Sequence, residues 1–136
     1  MSESGYHSIM KNRVFQIIFW SVFYLPFLSA QTNKRAGMWY FGRNAGINFA
    51  NQTAVALTDG ALNTWEGCAT MSDLNGKLLF YTDGRSIWNS NHQLIPNATN
   101  LGGHNSTTQS ATILPFPGHP NIYYIFSVAE SSTIGV

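Results

Sequence analysis

Charge is what this sequence has least of. Only 10% of its 136 residues are Asp, Glu, Lys or Arg. From Gln31 onward, Lys34, Arg35, Arg43, Lys77 and Arg85 are balanced by Asp59, Glu66, Asp73, Asp83 and Glu130. No basic stripe is left to neutralise phosphates, which excludes nucleic acid and anionic lipid as partners. Cysteine is nearly missing as well. A lone Cys68 cannot close an internal disulfide, which rules out a disulfide-stapled scaffold and leaves this thiol as a small buried apolar residue on a strand.

Long apolar runs are also scarce. The main one, Val14 to Leu28, falls short of the ~20 residues that a membrane span needs. Lys11 and Arg13 precede it and "LSAQ" (Leu28 to Gln31) follows it. These are the parts of an export leader: a positive start, an apolar centre, and small Ala30 ahead of the cut. Residues 1–30 are therefore expected to be a signal peptide read by the export machinery, with no stable membrane span. The leader reads more naturally from "MKNRVFQ", which makes Met10 the expected start. No Cys directly follows the apolar run, so a bacterial lipid anchor has no support there.

Helical periodicity is the third absence. After Gln31 no segment holds a 3.6-residue apolar repeat for more than a turn or two. Short apolar runs punctuated by Gly, Asn, Asp and Pro take its place, with aromatics at 14%, and this pattern predicts an all-β fold. Strands are expected near 38–41, 47–49, 54–58, 68–72, 77–82, 86–88, 93–95, 110–114 and 122–128, and no helix is required. "DLNGK" (Asp73 to Lys77) joins two of them, with Asn75 and Gly76 as the dipeptide that supplies the positive φ angles of a tight hairpin. Asp83 and Gly84 repeat the device. Between these turns, "KLLFY" is apolar at both parities, so its strand should be covered on both faces.

An internal echo says what covers it. "CATMSDLNGKLLFYTD" from Cys68 is followed 42 positions later by "SATILPFPGHPNIYYIFS" from Ser110. A repeat near forty residues is the period of propeller blades, whose four-stranded sheets stack face to face. A β-sandwich with two similar hairpins is the competing reading.

The segments "WYFGRNAGINF", "ALTDGALNTWEGCATMSD", "GKLLFYTDGRSIWNSNHQLIPN" and "STTQSATILPFPGHPNIYYIFSV" resemble the N-terminal β-propeller region of large secreted surface proteins of Bacteroidota. These are the type IX secretion substrates that end in a gliding-motility-associated, type B sorting domain. The likeness covers residues 38 to 128 in the same order and with similar spacing. It implies that residues 31–136 form an incomplete β-propeller domain, a partial β-propeller of about two blades of antiparallel meander sheet. It also implies a scaffold or binding role more than a catalytic one. The sorting domain has no counterpart in this sequence, which reads as a fragment with open strand edges.

Candidate chemistry is sparse. Asp59, Asp73 and Asp83 stand in or beside turn signatures, where Asp bonds nearby backbone. Asp73 and Asn75 begin an oxygen-rich loop, but the closing acid of a calcium site is missing. His92, His104 and His119 are far apart and show no zinc spacing, so no metal and no cofactor is expected. Ser106, Thr107 and Thr108 lack the GxSxG elbow of a serine nucleophile. Glu66 has no turn motif to explain it and reads as a strand end or a rim residue. Trp65 and Trp88 carry rings that stack on sugars when they face outward, and Trp88 lies among the amides of "SIWNSNHQ", although a tryptophan in a blade usually packs between sheets.

The expectation is thus a secreted or cell-surface, non-catalytic propeller segment serving adhesion or gliding, with no catalytic residues. Its expected ligand contacts are Trp65, Glu66 and Trp88, and its partner an extracellular glycan or protein. The alternative is the N-terminal part of a secreted propeller enzyme acting on polysaccharide.

Overall fold

The computed structural model describes residues 33–49 and 53–130, all within the unit Thr32–Val136. The expected leader, residues 1–30, lies outside the described residues, as does the tail 131–136. Among the described residues every regular element is a strand and no helix is long and apolar enough to cross a membrane.

Nine strands follow one another: β1 (Met38–Phe41), β2 (Ala45–Asn48), β3 (Val55–Leu57), β4 (Ala69–Ser72), β5 (Leu78–Thr82), β6 (Ser86–Asn89), β7 (Leu94–Thr99), β8 (Ala111–Pro115) and β9 (Tyr123–Ser127). They form three antiparallel sheets, ordered β1-β2-β3, β4-β5-β6-β7 and β8-β9, where about two blades were expected. Within each sheet the strands lie in chain order, as consecutive hairpins require.

Two turns of the middle sheet are built alike. Asp73 Oδ1 accepts from the backbone of Asn75 and Lys77 at 2.8 and 2.9 Å, and Asn89 Oδ1 accepts from that of Asn91 and Gln93 at 2.9 and 3.0 Å. In both, the fourth residue takes positive φ: Gly76 at 88° and His92 at 60°. Asn75 does not take positive φ, which corrects the expectation that both Asn75 and Gly76 would. Asp73 Oδ1 is occupied by backbone donors, so the segment closes a hairpin.

β5 runs between β4 and β6, and neither of its faces is open. Tyr81 stacks on Tyr40 of β1 at 4.8 Å between centroids and on Trp88 of β6 at 5.7 Å. Its neighbour Phe80 meets Tyr123 of β9 edge-on at 5.2 Å. Alternation along one strand therefore packs one residue against the first sheet and the next against the third. Tyr40, Leu62, Leu78 and Tyr81 form the buried cluster, with Met38, Leu57, Cys68 and Trp88 packed on it.

Between sheets, the closest backbone approaches join the lead strands, β1 to β4 and β4 to β8. Thr70 Oγ1 accepts from Tyr40 N at 2.9 Å across the first junction, and Ser110 Oγ donates to the Gly67 carbonyl at 2.6 Å across the second. Arg35, ahead of β1, ties the middle sheet to the third: its Nη1 donates to Tyr123 Oη at 3.1 Å and lies 3.8 Å from Met71 Sδ.

The 42-residue echo aligns the start of β4 with that of β8, yet it inverts their faces. Thr70 turns back toward β1, whereas Thr112 pairs with Phe126 on the open side of the third sheet. The strand period of two makes a one-residue slip exchange faces, and a coarse repeat does not fix that parity.

Backbone packing at the second junction generates a prediction. Gly84 has φ 82°, and a Cβ there would overlap the Ser110 carbonyl, whereas Gly118 has φ 77° with nothing within 4 Å of an added Cβ. Gly118→Ala should cost about 1 kcal/mol of left-handed backbone strain. Gly84→Ala should cost about 3 kcal/mol or more because overlap adds to the same strain. Urea unfolding of the two variants measures the difference, and equal losses would refute the close approach.

Candidate functional site

Two clusters of polar side chains stand out, and they differ in exposure. The first joins the first sheet to the middle one. Tyr40 Oη donates to Asp59 Oδ1 at 2.9 Å, the other Asp59 oxygen lies 3.4 Å from His92 Nε2, and His92 Nδ1 is 3.1 Å from Tyr81 Oη. Ala61 N–H donates to that same Tyr81 oxygen at 2.9 Å. One assignment leaves every group paired: the Tyr81 hydroxyl proton points to Nδ1, and Nε2 carries the ring hydrogen toward Asp59.

This Asp–His–Tyr chain has the connectivity of a proton relay, but Tyr81 is 0% exposed, so no substrate reaches its oxygen. Its role is to clasp two sheets. His92 stands where the matching turn has glycine, and a non-glycine residue in that conformation is held by its surroundings. The ring's two nitrogens, bonded to different elements, supply that hold. Asp59, expected as a turn residue, is instead the carboxylate of the clasp, because Tyr40 and His92 converge on it. Buried Asp83 does act in its turn: Oδ1 accepts from the backbone of Arg85 and Ser86, each at 2.9 Å, while Oδ2 pairs with the Arg85 guanidinium at 2.8 Å.

The second cluster is open to solvent. Residues 64–67, which lead into β4, are tied to the loop before β8. Trp65 N donates to the Asn105 carbonyl at 3.1 Å and Gly67 N to that of Thr107 at 3.0 Å. The loop thereby brings Thr108 Oγ1 to 3.0 Å from Glu66 Oε2 and Ser106 Oγ to 3.5 Å from Glu66 Oε1. Beyond it, Thr112, Phe126 and Val128 floor a groove of about 620 Å³, and Glu130 stands at its side with Oε2 3.0 Å from His104 Nδ1. Thr107 Oγ1 is buried there without a hydrogen-bond partner.

The three expected contact residues fare differently. Trp65 is 70% exposed and offers an open ring beside Glu66. Glu66 is exposed, with each oxygen near a hydroxyl, so its carboxylate orients the loop and accepts from it. Trp88 stacks on Tyr81 and is half-buried against the core. The pairing of Glu66 with Ser106 and Thr108 was not legible in sequence, because it joins residues about forty positions apart through a loop without a motif. Cys68, expected buried on a strand, is instead half-buried just ahead of β4, within reach of the Tyr40 carbonyl at 3.4 Å, and burial pushes its thiol pKa up. That is the setting of an inert thiol. Among the described residues no group of three acidic, His or Cys side chains could hold a metal ion.

No family model matches the chain, and no curated protein or solved structure does either.

The clasp predicts an alkaline limit to stability. Burial foremost, then the Asp59 hydrogen bond, raises the Tyr40 phenol well above its ordinary value of 10.0, and burial raises Tyr81 as well. An unfolded chain releases these protons near pH ~10 while the folded chain keeps them, so stability is full below that pH and falls as pH rises past it. Tyrosinate absorbance should therefore show two tyrosines that ionise only together with the loss of strand circular dichroism. Tyr40→Phe should weaken this alkaline dependence while lowering stability at neutral pH by about 1 kcal/mol. Free titration of all tyrosines before unfolding would refute it.

Proposed function

We propose that this chain is a secreted, non-catalytic β-propeller segment of a cell-surface or extracellular protein, displaying its loops for adhesion or gliding. One observation carries the reading. Two antiparallel meanders and a hairpin follow one another in sequence, and their first strands lie side by side, with β1 next to β4 and β4 next to β8. Propeller blades are arranged in this way, with the first strand of each sheet nearest the axis and later strands stepping outward. A β-sandwich sets two sheets face to face and has no place for a third sheet continuing the row. The leader-like residues 1–30 supply the address, and the likeness to type IX secretion substrates supplies the setting.

The surface that would bind is the loop pair 64–67 and 104–109. Trp65 presents an exposed ring, and Glu66, Ser106 and Thr108 present oxygens and hydroxyls beside it. An aromatic face with uncharged donors and one carboxylate suits a neutral glycan, whose rings stack and whose hydroxyls both donate and accept.

Cells producing the whole chain should carry it outside, where external protease removes it, and a form lacking residues 1–30 should stay inside. Equal retention of both forms would overturn the assignment. On an array of neutral glycans, Trp65→Ala should weaken any binding by about tenfold or more, the weight of a stacked aromatic anchor. Hydrolysis of those glycans, abolished in Glu66→Gln, would replace the binding role with the polysaccharide-cleaving one.

A further inference from the structure

The aromatic stack and the Asp–His–Tyr chain meet at one residue. Tyr81 lies between Tyr40 and Trp88, with ring planes 20° and 13° from parallel, and its oxygen sits 3.1 Å from His92 Nδ1. Tying two sheets together would need only an acceptor for the Tyr81 proton, and a carbonyl would serve. An imidazole can also keep that proton.

A phenol that loses an electron becomes a far stronger acid, so its oxidation runs readily only where a base takes the proton in the same step. His92 Nδ1 is placed to be that base. Once it holds the proton, Nε2–H still faces Asp59 Oδ2 at 3.4 Å, so the positive charge on the ring meets a carboxylate. Tyr40 donates to that carboxylate directly, at 2.9 Å, but a carboxylate is a weaker base than an imidazole, which makes Tyr81 the favoured electron donor. Pairing also survives the transfer. Before it, the Tyr81 hydroxyl donates to Nδ1; after it, Nδ1–H donates back to the same oxygen, which still accepts from Ala61 N–H at 2.9 Å. No buried polar group is orphaned, and the His92 backbone already stands at φ 60°.

The electron has a route out. Trp88 pairs with Tyr81 across β5 and β6 and is half-buried, so its ring joins a phenol that is 0% exposed to the surface. We propose that Tyr81 and His92 form a redox site: a one-electron oxidant, such as a metal(III) complex, arriving at the Trp88 edge draws an electron from Tyr81 while the phenol proton crosses to His92 Nδ1. The O–H bond of Tyr81 breaks and an N–H bond forms on His92. The products are a neutral tyrosyl radical, an imidazolium and the reduced oxidant, and a one-electron reductant such as ascorbate reverses the step. Cys68 packs on the same cluster and Met71 is buried in the adjoining strand. Oxygen added to either sulfur would disrupt that packing, whereas a hole on Tyr81 is returned without it. Every residue of the site lies between Tyr40 and His92 in the chain, so nothing beyond β9 bears on it.

Flash oxidation of the full chain with photogenerated tris(bipyridine)ruthenium(III) tests this. Electron spin resonance and near-ultraviolet absorbance should show a long-lived neutral tyrosyl radical whose formation slows in heavy water. Tyr81→Phe keeps the ring stack and should remove that signal, while Tyr124→Phe, at an exposed tyrosine outside the stack, should leave it. His92→Asn supplies a residue suited to positive φ but no base, and should slow formation by about a hundredfold, the weight of a positioned proton acceptor. Circular dichroism checks the strand content of each variant. Should His92→Asn lose it, Tyr81→Phe and the solvent isotope effect decide. A radical of equal yield and lifetime in Tyr81→Phe, or one formed equally fast in heavy water, overturns the inference, as does an indole radical on Trp88 with no tyrosyl radical following it.

Discussion

Backbone meeting backbone without intervening side chains is the constraint on which this fold turns. At the second junction, Gly67, Gly84 and Gly103 come so close to Ser110, to the 107–109 loop and to one another that a Cβ at any of them would overlap main chain. Such contact places the lead strands near each other, and the rest of each sheet then has to step away from them. Ser110 completes the knot: its hydroxyl donates to the Gly67 carbonyl and its own carbonyl accepts from Val128 N at 3.0 Å. Polar groups drawn this deep are costly unless paired, and these are paired with each other. The third sheet is thereby held by hydrogen bonds at its root as well as by Tyr123 packed on Phe80.

The first junction uses a different chemistry. Side chains fill it: a stack of Tyr40, Tyr81 and Trp88 runs through β1, β5 and β6, and hydroxyls, a carboxylate and an imidazole tie off its edge. Large aromatic rings bring the area, and their polar tips need partners once buried. His92 answers that need at the expense of a strained backbone, and this explains why one of two otherwise matching turns abandoned glycine.

Much of the β organisation was legible in the chain itself. Short apolar runs between turn residues located all nine strands to within a few residues, and the two-parity run of "KLLFY" foretold an interior strand. Local chemistry sufficed because hairpins join neighbours in sequence. What failed were statements about direction and about distance. The echo between Cys68 and Ser110 could not say which face each strand presents, since parity depends on a single residue of register. Asp59 looked like a turn residue because of Gly60 beside it, and only the fold brings Tyr40 and His92 to its oxygens. Glu66 likewise meets Thr108 through a loop whose path no local rule dictates, whereas Trp88 packs on Tyr81, the place a blade tryptophan usually takes between sheets.

Arg35 has a consequence for the order of events when the chain appears end first. Its hydrogen-bond partner Tyr123 lies 88 residues further on. The middle sheet needs nothing so distant, because every strand in it pairs with a sequence neighbour between Ala69 and Thr99. A chain leaving the ribosome can therefore assemble that sheet early, while the segment ahead of β1 waits for β9 to emerge. Local pairing forms quickly and long-range closure slowly. The guanidinium is thus a contact that cannot form before Tyr123 of β9 has been made.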